Sequence, residues 1–465
     1  HVVEIPVPVP SSKNRPPGFD AANIFSIVPV RGSEDMSKPS AKASQEIFSR
    51  LQAKGDIYKS SYKGLYCEGC EDFVRERDLD ENSNCPAHKT KPKELSEENY
   101  FFKLTKYKPL IKEWLEKNPD TLRPESRYKQ VINQLDDPEL GDFSVTRSRT
   151  SLNWGVPVPN DSNQVIYVWL DALTNYITGA GFPDDTKTME KYWPADLHLI
   201  GKDITKFHAI YWPAMLMSAD LALPKQIYGH GFITVEGQKI SKSLGNVIDP
   251  MALASEYGSD AVRFFLFACT PFDQDGDFSK EELIRKVNAD LANNLGNLLN
   301  RTLTLLQKNC NGVVPKSDMD TSLAEQTREA KKQFSLHMSR LEFAKALEAV
   351  FNLVDSTNKY INDQKPWNLF KEGKRAEGES VLFTSLEILR SATIMLYPFI
   401  PNIAENMWEQ LGFDQPIKRT LKSDDYKKGH DTLFDTIEIR SIKSGQQVKL
   451  EGPVFKRIEE PVLSS

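Results

Sequence analysis

The sequence predicts an α/β domain that carries a metal-binding insertion and is followed by an α-helical bundle. Three observations carry that prediction. Between about residues 165 and 235, short β-branched and aromatic runs alternate with helical patterns, the order that builds a parallel sheet with crossover helices. After about Lys280 the strand-like runs stop and leucine stripes at helical spacing take over. Ahead of both, Cys67, Cys70, Cys85 and His88 fall in two paired turns.

Size and composition set the bounds. At roughly 100–200 residues per domain, 465 residues make two to four domains. A net charge of -6 excludes a generally basic nucleic-acid coat, so any nucleic-acid contact must come from a local patch. No apolar run reaches the ~18 residues of a membrane span. Five cysteines are too few for a disulfide scaffold in a chain of this length. The three crowded ones suggest a metal in a reducing compartment, and Cys269 and Cys310, in apolar helical surroundings, read as buried thiols.

The elements follow in order. Residues 1–44 open on His1, without a signal peptide, and are rich in proline, so an irregular segment with little packed structure is expected. Ile47, Phe48 and Leu51 share one face of a helix over 45–54, stopped by Gly55. Tyr58, Tyr62 and Tyr66 have extended spacing and lead into the cysteines. A strand is expected over 99–104, a helix over 106–116, a buried strand over 165–170 and a helix from Asp171. A strand over 197–200 turns through Gly201, Lys202 and Asp203 into an apolar helix over 204–217, and one further strand covers 226–235. Long helices are expected over 281–308, 341–361, 381–396 and 401–411, the last begun by Pro401. Residues 448–458 read as an extended, docked tail. The organisation expected is therefore 1–44, 45–150 with the insertion, 151–280 and 281–465.

Four groups of residues carry chemistry. Cys67-x2-Cys70 and, after fourteen intervening residues, Cys85-x2-His88 supply a closed Cys3His set, the ligand set of structural zinc. Lys239, Ile240, Ser241, Lys242 and Ser243 follow a strand and lie between Gly237 and Gly245. Two lysines three apart in a loop of small residues suit closure over a polyphosphate, although a solvated basic turn has the same composition. Trp169, Ala172 and Tyr176, spaced 0, 3 and 7, can point to one side, with Ile204 and His208 four apart on the next helix. Such a wall suits a polarizable thioether, and core packing would also explain it. Asn293, Asn297 and Arg301 line one helix face opposite the leucines, and Trp367 follows Lys365-Pro366. Amides read base edges and tryptophan stacks unpaired bases, while a solvated face and a core tryptophan are the plain alternative.

Taken together these strings resemble one family. Lys239-Ile-Ser-Lys242-Ser243 is similar to the Lys-Met-Ser-Lys-Ser signature of class I aminoacyl-tRNA synthetases, and Gly229-His-Gly-Phe-Ile-Thr-Val-Glu-Gly-Gln238 resembles its methionyl form. Tyr167-Val-Trp-Leu-Asp-Ala172, His198-Leu-Ile-Gly-Lys-Asp-Ile204, Trp212-Pro-Ala-Met-Leu216, Asp142-Phe-Ser-Val-Thr-Arg147 and Trp154-Gly-Val-Pro-Val-Pro159 agree with it, over about residues 45–459.

The resemblance implies a class I Rossmann-type nucleotide-binding domain with a zinc-knuckle insertion, then a helical anticodon-binding domain. It implies a methionine–tRNA ligase that forms methionyl-adenylate from methionine and ATP and passes methionine to tRNA(Met), with structural Zn2+ and with Mg2+ on ATP. By resemblance Lys239 and Lys242 stabilise the transition state. Trp169, Ala172, Leu173, Tyr176, Ile204 and His208 surround methionine, and Leu173 stands where relatives often have proline. Gly201 and Asp203 border the adenylate, and Asn293, Asn297, Arg301 and Trp367 read the CAU anticodon. The family's His-Ile-Gly-His string does not occur in these 465 residues, so only the second half of the catalytic fold is expected, and methionine-dependent ATP–pyrophosphate exchange by this polypeptide is expected near background. A tRNA-binding protein without ligase activity is the alternative. A class I synthetase for another amino acid is disfavoured, because there is no room for a large editing domain. A monomer with no membrane contact is expected, in the cytoplasm of a bacterium or in a mitochondrial or plastid matrix.

Overall fold

The computed structural model describes residues 37–67, 72–74, 76–86, 88–235, 237–240, 248–417, 434 and 442–459. They fall into two units, one ending at His230 and the other beginning at Gly231.

In the first unit the opening helix runs Ser37–Ala53, so residues 37–44 are not irregular as expected. Ala43, Ile47, Phe48 and Leu51 are fully buried, and Ser40 and Ser44 donate to one carboxylate oxygen of Asp171 at 2.8 and 2.7 Å. That tether lies in no local pattern, and it is what draws the helix beyond its apolar stripe. Strand Ile57–Cys67 pairs antiparallel with Lys93–Phe102 over most of its length and with Asp72–Val74 at its far end, making the arm that carries the cysteines. The root of the arm is the buried carboxylate of Asp56, which accepts from Lys106 at 2.6 Å, from Ser218 at 2.7 Å and from the Tyr107 hydroxyl. Burial alone would raise this carboxyl, but the hydrogen bonds from Lys106, Tyr107 and Ser218 outweigh it and hold the group below the usual carboxylate range.

A parallel sheet of three short strands forms the centre of this unit: Leu122–Arg123, Ile227–His230 and His198–Gly201, with Ile227–His230 in the middle. The strand expected over 165–170 ends earlier, as Asp161–Ile166, and Val168 begins the helix Val168–Gly179. Tyr167 is the pivot: its N–H donates to Val145 O at 2.9 Å, and the buried Arg147 guanidinium lies 4.1 Å over its ring.

The strand expected over 226–235 is two strands in two units, Ile227–His230 and Ile233–Val235. Gly231 separates them: a Cβ there would lie 1.8 Å from Gln274 O, so only glycine lets the backbone pass. In the second unit Ile233–Val235 pairs with Gln238–Lys239 and with Gly276–Phe278. The long helix expected over 281–308 is Lys280–Val287, a π-helical stretch Asn288–Gly296, and Asn297–Cys310. Leu291, Leu295, Leu298 and Leu306 are buried, as the stripe requires. Thr321–Ser339, Phe343–Gln364, Arg375–Leu396 and Pro401–Gln410 complete the bundle around one apolar core. The tail is docked as expected, with Ile458 N–H donating to Asn288 Oδ1 at 2.8 Å and Asn288 Nδ2 returning to Ile458 O at 2.9 Å. Cys310 is buried and Cys269 half-buried, and burial pushes the Cys269 thiol up to about 11. Among the described residues no helix is long and apolar enough to cross a membrane.

Candidate functional site

Ligands in parallel α/β sheets bind beyond the carboxyl ends of the strands. Here strand His198–Gly201 ends in a single tight turn, Lys202–Ile204, and the chain then enters a π-helical stretch, Phe207–Tyr211. Such widened turns recur at functional sites because they re-aim a side chain. The side chain re-aimed here is His208, which is 2% exposed. Its Nδ1 lies 3.0 Å from Ile204 O, which can only accept, so Nδ1 carries the proton. Nε2 is then the acceptor, and the Tyr176 hydroxyl donates a hydrogen bond to it at 2.8 Å. Burial lowers the His208 pKa, partly opposed by the Ile204 hydrogen bond, and burial raises that of Tyr176, so both stay neutral near pH 7.

Trp169, Ala172 and Tyr176 share the outer face of helix Val168–Gly179, and Leu173 is turned inward, 1% exposed, among the core residues. Trp169 stacks on Phe207 at 3.7 Å between ring centres and 11° between planes, so the two helices meet through an aromatic pair. In the turn that leads to Phe207, Gly201 and Ile204 are half-buried and Asp203 is exposed.

Two residues that sequence reasoning left unassigned complete this wall. Phe207 is one. The other is His198, 3% exposed, its ring 4.2 Å from Tyr176 and 5.9 Å from Trp193. Its Nε2 has no hydrogen-bond partner among the described residues. Burial, helped by the neighbouring His208, pushes its pKa down to about 3. Only the alternation of burial along the strand, with His198 and Ile200 inside and Leu199 outside, hints at this from sequence.

At the end of the arm, Cys67, Cys85 and His88 place their ligand atoms within 4.8 Å of one another. His88 Nδ1 is 3.8 Å from Cys67 Sγ and 3.9 Å from Cys85 Sγ. Two ligands bound to one tetrahedral zinc lie roughly 3.6 Å apart at ordinary Zn–S and Zn–N lengths, so the group fits a metal ion. Cys70, the fourth expected ligand, lies outside the described residues.

In the second unit the lysine loop begins on a hairpin. Lys239 pairs with Thr234 across Gly237, whose φ is +71°. Asp277 holds this turn, accepting from Gly237 N–H at 2.9 Å and Thr234 Oγ1 at 2.7 Å. Ile240 is half-buried, and Ser241, Lys242 and Ser243 lie outside the described residues.

On the bundle, Asn293 and Asn297 are exposed and Arg301 is half-buried. Arg301 donates to Asn362 Oδ1 at 2.7 Å and sits 4.8 Å over the Trp367 ring. The chain reverses between helices at Lys365, φ +47°, and Pro366 starts the short helix Pro366–Lys371 that presents Trp367. Asn294 is tied to the neighbouring helix, donating to Asp355 at 2.6 Å and accepting from Asn358 at 2.7 Å.

The family described as tRNA synthetases class I (M) matches residues 33–94 and 77–303, and the anticodon-binding domain of tRNA ligase matches residues 320–459. The methionine–tRNA ligase of a Nostoc species is 43% identical over 431 residues, 89% of this chain and 78% of that protein. That of a Synechocystis species is 45% identical over 379 residues, 79% of this chain and 71% of that protein. Crystallised methionyl-tRNA synthetase of Mycobacterium tuberculosis, bound to methionyl-adenylate, superimposes with a TM-score of 0.81 at 36% identity, over 90% of this chain and 82% of that one. Both catalytic and anticodon-binding parts are thus accounted for, and the chain belongs to the methionine–tRNA ligase family of class I aminoacyl-tRNA synthetases.

Proposed function

We propose that this chain binds methionine against Trp169, Ala172, Tyr176, Ile204 and His208, with Leu173 backing the wall, for attack on ATP and transfer to tRNA(Met). The observation that carries the reading is the hydrogen-bonded relay Tyr176–His208–Ile204 O beside the Trp169–Phe207 stack. It is a neutral, aromatic surface with one aimed hydroxyl, complementary to an uncharged thioether and poor for a charged side chain.

In the reaction a methionine carboxylate oxygen bonds to the α-phosphorus of ATP as the α–β phosphoanhydride breaks, and pyrophosphate leaves. The terminal ribose hydroxyl of tRNA then attacks the acyl carbon, and AMP leaves. No side chain need form a bond, so catalysis is positioning and electrostatics. Lys239 and Lys242 are assigned to the phosphate charge, Ile240, Ser241 and Ser243 to the loop that carries them, and Gly201 and Asp203 to the adenylate border. Mg2+ bound to ATP would offset charge on the leaving pyrophosphate. Cys67, Cys85 and His88, with Cys70, are assigned to a structural zinc: a protein-filled ligand set leaves no open position for chemistry. Asn293, Asn297, Arg301 and Trp367 are assigned to the anticodon. Residues 45–150, 151–280 and 281–465 are taken as insertion-bearing, catalytic and anticodon-binding regions. Its bacterial relatives support a cytoplasmic protein, with a mitochondrial or plastid matrix as the alternative, and we take it to act as a monomer.

Equilibrium dialysis against labelled methionine and leucine tests the pocket. Retention of methionine over leucine, lost in His208→Ala, is expected. Equal retention of both amino acids would overturn the assignment. Binding of tRNA without selective methionine retention would favour a tRNA-binding protein without ligase activity.

A further inference from the structure

We propose that Asn362 is a positioning residue for the anticodon-reading face: its side-chain oxygen fixes the Arg301 guanidinium over the Trp367 indole before RNA arrives. The proposal rests on the anticodon reading above and adds to it a residue outside the four that face was assigned.

Three elements meet at this point. Arg301 comes from helix Asn297–Cys310, Asn362 from the last turns of Phe343–Gln364, and Trp367 from Pro366–Lys371. A free arginine samples many rotamers, and ordering it on binding costs affinity. Here two contacts order it in advance: the 2.7 Å hydrogen bond from Nη1 to Asn362 Oδ1 and the 4.8 Å approach of its Cζ to the Trp367 ring. The left-handed residue Lys365 lets Asn362 and Trp367 reach the same guanidinium from two helices. Asparagine suits the task because its oxygen accepts without cancelling the arginine's charge. Four donors of the fork and the full positive charge remain for a base edge or a phosphate. Asn362 also belongs to a series. Asp355, Asn358 and Asn362, at i, i+3 and i+7, share one face of their helix, and the first two hold Asn294 in the π-helical stretch. That face is the back-stop against which the RNA-reading helix is braced.

The test is a double-mutant cycle on the full chain, reading affinity for a CAU anticodon stem-loop by fluorescence anisotropy. Asn362→Ala is expected to weaken binding about fivefold in the unaltered chain and to have no further effect in Arg301→Ala, because it acts through that arginine. Asn362 is exposed, so the thermal midpoint should be unchanged and serves as the control for folding. Equal losses in both backgrounds would show that Asn362 touches RNA itself and overturn the positioning role, as would no loss in either. If Arg301→Ala and Trp367→Ala both bind normally, the anticodon reading fails and this proposal falls with it.

Discussion

His198 makes a sharp prediction about acid stability. It is 3% exposed, wedged against Tyr176 and Trp193, with Nε2 unpartnered among the described residues. In the unfolded chain a histidine takes up a proton near pH 6.5. In the folded chain burial, with His208 beside it, pushes that pKa down to about 3. The folded state therefore refuses a proton that the unfolded state accepts. Stability from this group is full above about pH 6.5 and falls as pH drops toward 3. The slope is about 1.4 kcal/mol per pH unit, so about 2 kcal/mol is lost between pH 7 and 5. His198→Phe keeps a ring in the aromatic cluster and removes the titration. Urea unfolding at the two pH values, followed by near-ultraviolet circular dichroism, measures the loss in each chain. Taking the difference cancels the titrating groups common to both chains, His208 among them, whose own pKa burial lowers. The phenylalanine variant should be less acid-sensitive by about 2 kcal/mol. The same pH-dependent loss in both chains would refute the reasoning.

Tyr176→Phe removes the donor to His208 Nε2 and should cost about 1–3 kcal/mol in urea unfolding, the price of an orphaned buried acceptor, because His208 is only 2% exposed. Metal analysis of purified chain should find one zinc per molecule, and Cys85→Ser should lose it while the bundle's thermal transition stays in place; folded, metal-free protein after mild purification would contradict the ligand set. Trp367→Ala should weaken CAU stem-loop binding by about 1–3 kcal/mol, and Arg301→Ala should also flatten its salt dependence, both read by titration at several salt concentrations. Asp56→Ala takes away three hydrogen bonds at the root of the arm and should lower stability by about 2–4 kcal/mol, with proteolysis between 57 and 102 as the more sensitive readout.

Much of the fold is written in local patterns. Leu291, Leu295, Leu298 and Leu306 are spaced for a helix and are buried along Asn288–Gly296 and Asn297–Cys310, and the tyrosines at 58, 62 and 66 have the extended spacing of the strand they occupy. The misread boundaries share a cause. Val168–Leu170 continue an apolar run that looks like strand, yet they are helical because Tyr167 is pinned to Val145 and Arg147. Ser37–Ser44 look irregular, yet they are helical because Asp171 reaches back to Ser40 and Ser44. In each case a partner remote in sequence outweighed the local signal.

The site divides in the same way. By itself the sequence offered the two cysteine and histidine pairs at 67–70 and 85–88, the lysine string, and the i, i+4 series Asn293, Asn297 and Arg301, because their members are neighbours along the chain and the backbone alone sets their spacing. Only the tertiary structure decided that Tyr176 meets His208, that the buried His198 stands behind them, that Leu173 turns inward, and that Asn362 and Trp367 close on Arg301. The partners of Tyr176 and of Arg301 in these pairings are 22 to 66 residues away, and π-helical turns or a left-handed residue complete them. Hydrogen bonds act over about 3 Å and burial excludes water from the protonation equilibrium, so neither effect exists until packing brings distant segments into contact.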